Sequence, residues 1–153
     1  MYRKYASTSD LGGGAMTSTP KTILSIVSNT SIRPMLYDFT VGTVGTPADN
    51  VMTVSVVRET GMVPGTNSTV VTPSPLDPSD PGSTATAAGA WTSEPATGVV
   101  LFQTGLNVRA TFRWVAAPGG ELVMPAVAQA GLGVRVTSPV YVLDCQGVIF
   151  HSE

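Results

Sequence analysis

The sequence predicts an all-β protein, an antiparallel β-sandwich or a jelly-roll-like barrel with an extended N-terminal arm. Apolar and polar side chains alternate over residues 35–41 and again over residues 52–56, the period of two expected for strands with one buried face. Valine and threonine are frequent in these runs and favour strand over helix. Glycine, proline and asparagine separate the runs at the short intervals typical of sandwiches and barrels.

Short apolar or alternating runs are predicted to form the strands. They lie at residues 22–28, 33–41, 51–59, 69–72, 99–103, 107–115, 121–124, 134–137, 140–143 and 148–151. Residues 109–115 are expected to form a half-buried strand that passes through a tight turn at 117–120 into a second strand, as a hairpin. Residues 73–81 are rich in proline and form a stiff connection, because each proline fixes its own φ and extends the residue before it.

The length of 153 residues predicts one domain with one core. Residues 1–20 are polar and are broken by glycines 12–14 and by Pro20, so we expect an N-terminal arm outside the folded domain. Residues 21–153 then form a single β-sandwich domain. An arm of this kind commonly reaches onto a neighbouring molecule, which makes Arg3, Lys4 and Tyr5 candidate interface residues.

Charge is scarce in this chain. Charged residues make up 12% of the sequence, against about 25% in an average soluble protein. The net charge is −2 and the basic residues are dispersed, whereas nucleic-acid-binding proteins usually carry a basic stripe. No apolar run approaches the length of a membrane span. The low charge therefore indicates a protein with permanent protein neighbours.

The residue types that carry catalysis are few. His151 is the only histidine, and we expect a plain terminal or interface histidine, because a catalytic base needs an orienting partner and a nucleophile held in place. Cys145 is predicted to lie in a turn without the cationic surroundings that activate a thiol. The sequence therefore predicts no catalytic residue and no cofactor, and the protein is not expected to be an enzyme.

Acidic residues offer a weak case for a metal site. Asp77 and Asp80, together with Asp49, carry oxygen ligands suited to calcium, but their spacing matches no calcium loop. Aspartate before proline is an ordinary turn former, so turn chemistry is the preferred interpretation and no metal site is predicted. The other carboxylates considered as catalytic pairs are interpreted as surface residues: Glu59, Glu94, Glu121 and Asp144.

Two features point to contact with other molecules. Arg109 and Arg113 fall on one face of the predicted strand 107–115, while Phe112 and Trp114 fall on the other. The arginine face is either an ordinary solvated face or an interface anchor, since arginine is enriched at contact hot spots. Trp91 lies in a loop, where it either packs over the end of the core or anchors a sugar or a protein partner, and the area that a tryptophan buries favours packing.

Four parts of the chain resemble a family of small virion proteins of tailed bacteriophages. They are residues 31–39, 45–50, 71–73 with 76–78, and 109–125, and the likeness spans most of residues 21–153. Proteins of this kind are similar to capsid decoration or cement proteins, which bind the outside of the expanded head shell as β-rich oligomers, often trimers. The resemblance implies a homo-oligomer, with a trimer as the expected form, on the capsid surface of the virion, with the major capsid protein as partner and no small-molecule substrate.

Two other functions stay open from the residues alone. A tail, baseplate or receptor-binding β-module of the virion would contact a host glycan through Trp91 and nearby loops. A small hydrolase would need a clustered pair of carboxylates with strongly shifted pKa values in a concave pocket.

Overall fold

The computed structural model describes residues 2–9, 15–140 and 143–153. Every regular element in these ranges is a β-strand. The strands are β1 (Lys4–Thr8), β2 (Ala15–Met16), β3 (Lys21–Val27), β4 (Met35–Thr43), β5 (Val51–Thr60), β6 (Thr69–Val71), β7 (Ser74–Pro75), β8 (Thr86–Gly89), β9 (Ala96–Asn107), β10 (Phe112–Val115), β11 (Leu122–Val123), β12 (Ala130–Thr137) and β13 (Leu143–Ser152).

The strands form two antiparallel sheets that pack together as a β-sandwich. The first is a seven-stranded sheet with the order β10-β4-β13-β1-β7, in which β11 also pairs with β4 and β2 with β13. The second is a six-stranded sheet with the order β6-β8-β3-β12-β5-β9. The all-β prediction is therefore confirmed, and of the two predicted architectures the sandwich is the one formed.

The core between the sheets is mainly aliphatic. The alternation in β5 points Met52, Val54 and Val56 into it, and all three side chains are fully buried. β3 and β12 face the same space from the middle of the six-stranded sheet, and each aliphatic side chain buried there stabilises the fold by about 1.5–3 kcal/mol. Their buried core residues are Ile23, Leu24, Ile26, Leu132, Val134 and Val136.

An aromatic cluster closes one side of the sandwich. Phe102 lies on β9 at the edge of the six-stranded sheet, and Phe112 lies on β10 at the edge of the seven-stranded sheet. Their rings stack with centroids 5.7 Å apart, and Trp114 stacks on Phe39 at the same distance. The prediction that Phe112 and Trp114 face the core is therefore confirmed.

The prediction of an arm outside the domain is wrong for residues 4–8. β1 pairs with β13 along its whole length and with β7 on its other side, so it lies inside the seven-stranded sheet. Tyr5 and Ser7 point inward and are buried. A short polar run does not signal a strand locally, because its pairing partners are residues 148–152. Residues 1 and 10–14 of the predicted arm, and residues 141–142 of the predicted strand 140–143, lie outside the described residues.

The predicted hairpin over residues 109–125 is also wrong. β10 and β11 do not pair with each other but pair one after the other with β4, Val115 opposite Asp38 and Leu122 opposite Leu36. Residues 116–121 loop out between them, and the amide of Ala116 still donates to the carbonyl of Tyr37 at 2.8 Å. Residues 117–120 do form the predicted tight turn, since the amide of Gly120 donates to the carbonyl of Ala117 at 2.7 Å. It interrupts one edge of β4 instead of joining two paired strands.

The two sheets differ in what covers their outer faces. Residues 90–95 fold over part of the six-stranded sheet, where Trp91 packs on Val27, Met62 and Ala88. On the seven-stranded sheet, the described residues place no such segment over β4, β13 and β1. The outer side of those three strands is therefore the open face of the sandwich.

Candidate interaction surface

Cross-strand register builds the open face from two rows of side chains. One row runs across four strands through Thr8, Val148, Thr40 and Arg113, which lie opposite one another in turn. The next row holds Ala6, Phe150, Asp38 and Val115. Residues opposite each other in an antiparallel sheet point to the same side. We call these eight residues the outer face.

The outer face carries one ion pair in a surround of apolar and threonine side chains. Arg113 Nη2 lies 2.5 Å from Asp38 Oδ2, and Arg113 Nε lies 3.1 Å from Oδ1. The Asp38 side chain is 7% exposed, whereas that of Arg113 is 63% exposed. The hydrogen bonds that Arg113 donates to Asp38, together with the negative charge of Asp38, raise the pKa of Arg113. A fixed, planar guanidinium at the surface suits recognition of a carbonyl or carboxylate.

Arg109 does not share this face. Backbone pairing in β9 ends at Asn107, whose side chain accepts a hydrogen bond from the amide of Arg109 at 2.9 Å and turns the chain. Arg109 Nη1 then lies 3.3 Å from Asp49, and its Nε donates to the carbonyl of Pro47 at 3.0 Å. The prediction of two arginines on one strand face is wrong, because the strand starts only at Phe112.

The N-terminal candidates divide between surface and core. Arg3 is exposed and lies 3.7 Å from Asp80, and the ammonium of Lys4 lies 5.4 Å from the centre of the Tyr37 ring. Tyr5 is fully buried, with its hydroxyl donating to the carbonyl of Pro81 at 3.2 Å. Burial raises the pKa of Tyr5. Tyr5 is therefore a core residue in this chain and not a contact residue.

Trp91 belongs to the interior as well. Its side chain is 5% exposed, and its indole Nε1 donates to Ser25 Oγ at 3.3 Å. The sequence left open whether Trp91 packs on the core or anchors a partner, and in the structure it packs. An indole in this position offers no free face for a sugar.

A cleft opens at one end of the outer face, where the sheet is irregular. Tyr37 is the extra residue of β4 at the register shift against β13, and the excursion 116–121 departs from β4 at the same point. Bulges of this kind re-aim side chains and are frequent beside functional sites. The cleft has a volume of about 510 Å³. It is lined by Tyr2, Lys4, Met35, Tyr37, Val115, Ala116, Pro118, Gly119, Glu121 and Ser152.

His151 meets a serine and a carboxylate inside the fold. Its Nε2 lies 3.3 Å from Ser83 Oγ and 3.4 Å from Glu153 Oε1, and its ring stacks on Tyr5. A catalytic triad places the acid on one ring nitrogen and the serine on the other. Here both approach the same nitrogen, and Nδ1 has no hydrogen-bond partner among the described residues. The arrangement joins the end of β13 to residues 83–85 and does not match a nucleophile with its base.

Glu59 and Arg135 form a second buried polar cluster, which the sequence did not reveal. Arg135 Nε lies 2.6 Å from Glu59 Oε1, and Arg135 Nη2 donates to the carbonyl of Pro95 at 2.8 Å. Burial raises the pKa of Glu59 to about 7, although Arg135 and the hydroxyl of Thr22 act in the opposite direction. The interpretation of Glu59 as a surface residue is wrong. The one local signal for its burial is its position in β5. The alternation places Glu59 on the same face as Val57, which is also buried.

The remaining candidate acids serve turns and surface contacts. Asp77 Oδ1 accepts a hydrogen bond from the amide of Ser79, and the amide of Asp80 donates to the carbonyl of Asp77. Glu94 accepts from the amide of Thr22 at 2.9 Å. Among the described residues, no three histidine, cysteine or carboxylate side chains come together as a metal site. No helix in the same residues is long and apolar enough to cross a membrane.

No family model, no curated protein and no solved structure matches this chain.

Proposed function

We propose that this chain is a structural protein of a bacteriophage virion, a decoration protein that binds the outside of the head shell and stabilises it. The outer face is the surface that docks on the major capsid protein. The single observation that carries the proposal is the contrast between the two sheets. One outer face is covered in part by the chain itself, whereas the other presents two rows of side chains across four strands, in which Asp38 and Arg113 pair with each other.

The composition of the outer face supports a protein partner. Val148, Phe150 and Ala6 lie half-buried in the rows, and Val115 is 56% exposed. Valine, isoleucine and phenylalanine at consecutive positions 148–150 make β13 apolar on both of its faces. A strand with this pattern is typical of a sheet that is covered on both sides. A partner that covers the outer face would complete that arrangement.

Arg113 offers hydrogen-bond donors that would orient the partner in the proposed contact. Asp38 holds the guanidinium through Nε and Nη2, which leaves the Nη1 donors for an acceptor on the partner. An arginine fixed in advance loses little side-chain entropy on binding. Arginine is also among the residues that most often dominate binding energy at interfaces.

The low charge of the chain and its resemblance to phage virion proteins support a place on a capsid. Decoration acts through many copies of a modest interface, so that weak individual contacts add up across the shell. Each bound copy adds contacts that internal pressure has to break before the shell opens. The alternative of a tail module that binds a host glycan depended on Trp91, and the buried indole does not favour it.

The test is binding of the purified protein to expanded, undecorated heads, measured by co-sedimentation and by the temperature at which the heads release DNA. Val115→Asp introduces a charge at an exposed position of the outer face, and Val127→Asp introduces the same charge at a position of similar exposure outside it. We expect Val115→Asp to weaken binding at least tenfold and Val127→Asp to bind like the unaltered protein. Failure of the unaltered protein to bind the heads overturns the function, and equal binding by both variants overturns the docking face.

A further inference from the structure

The sheet edges of this sandwich are not protected equally. Among the described strands, the two sheet orders end at β6, β7, β9 and β10. Natural proteins blunt such edges with short strands, prolines or charges. β6 has three residues, β7 has two and contains Pro75, and β10 has four and carries Arg113. β9 has twelve residues without a proline or a charge.

Half of β9 is a regular template for another strand. Its register against β5 shifts twice over residues 97–102, so the backbone of that half is irregular. From Phe102 to Asn107 the pairing with β5 runs without a shift. Phe102 and Leu106 pack on the core, whereas Gln103 and Gly105 are exposed. The backbone groups on the far side of this segment face no strand of the described chain.

We propose that β9 pairs antiparallel with β9 of a second copy about a two-fold axis at Thr104. Directly opposite residues of an antiparallel pair share a face, so this register sets Phe102 against the partner's Leu106 and Thr104 against the partner's Thr104. Gln103 lies opposite the partner's Gly105 on the solvent side. The two six-stranded sheets then continue as one sheet across the axis.

Charge favours a second copy as the occupant. Residues 96–107 carry no charge, so an identical strand meets no like-charge repulsion along its length. The nearest charged side chains at the Asn107 end, Asp49 and Arg109, already pair with each other at 3.3 Å. The contact is isologous, because the same segment is donor and acceptor, and it closes as a dimer.

The expected size of the contact predicts a weak dimer. The five strand residues 102–106 extend about 17 Å, and an interface of that length falls below the ~1,000 Å² typical of stable complexes. We therefore expect association that depends on concentration in solution. The inference does not rest on the proposed capsid role. A dimer also differs from the trimer that the resemblance implies, so the measured mass distinguishes them.

The experiment is multi-angle light scattering over a concentration series, with variants that put charge on the solvent side of β9. In Gln103→Lys/Gly105→Lys each lysine lies opposite a lysine of the partner, and in Gln103→Glu/Gly105→Glu each glutamate lies opposite a glutamate. Gly105 accepts a side chain, because a Cβ on its backbone would meet nothing within 4 Å. Val70→Lys is the matched control, since it puts a lysine on β6 at the opposite edge of the same sheet.

We expect the unaltered protein and Val70→Lys to approach the dimer mass as concentration rises. Each charged double variant should stay monomeric with an unchanged melting temperature, and an equimolar mixture of the two should recover the dimer. A monomer at every concentration overturns the proposal, as does a trimer or any oligomer that survives both double variants. Dimerisation that Val70→Lys abolishes overturns it too, because the contact would then lie at the β6 edge.

Discussion

Glu59 Oε1 lies 2.6 Å from Arg135 Nε on the side of the six-stranded sheet away from the core. Both side chains are buried, with exposed fractions of 0% for Glu59 and 9% for Arg135. Arg135 also donates to the carbonyl of Pro95, in the segment that folds over this sheet, and to Thr97, near the start of β9. The ion pair therefore joins β5 and β12 to the segment that covers them.

Removing one partner of this pair should cost more than removing both. Glu59→Ala leaves the guanidinium buried without its counter-charge, and we expect the free energy of unfolding to fall by about 3–5 kcal/mol. Glu59→Met/Arg135→Leu replaces the pair with apolar side chains, and we expect a smaller loss than in Glu59→Ala. Urea unfolding of Glu59→Ala, of the single variants Glu59→Met and Arg135→Leu, and of the double variant measures the differences. Additive losses would contradict the coupling.

The same carboxyl predicts a pH dependence of stability. Burial raises the pKa of Glu59 from 4.5 to about 7, so between these values the folded protein holds a proton that the unfolded chain has released. The free energy of unfolding should therefore fall as the pH rises from about 4.5 to about 7. Thermal unfolding across this range measures the slope, and Glu59→Met/Arg135→Leu should flatten it.

Glu153 affects the free energy of unfolding at lower pH than Glu59 does, so it serves as an internal comparison. Burial tends to raise its pKa, but hydrogen bonds from His151, Ser83 and two backbone amides outweigh burial and lower the pKa to about 2. Its contribution to stability is present above pH 4.5 and is lost as the pH falls toward 2. A slope between pH 4.5 and 7 that persists in the double variant would contradict the assignment to Glu59.

Gly133 should not tolerate a side chain. A Cβ at this position would overlap the Glu59 carboxylate, so Gly133→Ala forces the ion pair to move and should cost about 1–3 kcal/mol. Gly105→Ala is the matched control in the same sheet, because its Cβ would meet nothing within 4 Å. We expect its free energy of unfolding to change by less than about 0.5 kcal/mol. Equal effects of the two substitutions would show that space beside Glu59 does not matter.

Cys145 should be inert in the folded protein. The thiol is fully buried in the core, and burial, with a smaller effect of Asp144, raises its pKa to about 11. We expect alkylation by iodoacetamide at about pH 8 to follow the rate of unfolding and not the reagent concentration. Mass spectrometry of native and urea-unfolded samples measures the rate of alkylation. Rapid labelling of the native sample would contradict the burial of Cys145.

Local sequence patterns predicted the positions of the strands better than they predicted which strands pair with each other. The alternation in residues 35–41 and 51–59 predicted β4 and β5 nearly to their ends, because a period of two reports one buried face. The same pattern does not say which strands pair. β10 and β11 therefore looked like a hairpin, although both lie along β4. The aromatic side of β10 was predicted correctly, since it depends on alternation alone.

The candidate surface was harder to predict than the fold. Arg113 was placed correctly on a strand face, but its partner Asp38 is 75 residues away in sequence. Tyr5 looked like part of an arm, because the residues that it contacts in the fold, Pro75, Pro81 and His151, are far from it in sequence. The burial of Trp91 and Glu59 depends on residues 90–95, which fold over part of one sheet and have no sequence pattern that predicts where they pack.

The pairing of β1 with β13 sets an order on synthesis and folding. Residues 4–8 lie between β13 and β7 in the finished sheet, so they wait for residues 148–152 to leave the ribosome before they gain their main neighbour. Pairing across so many residues carries a large loop-closure cost and is slow. The seven-stranded sheet, and the open face with it, therefore forms only after residues 148–152 have been made. A growing chain does not present this surface.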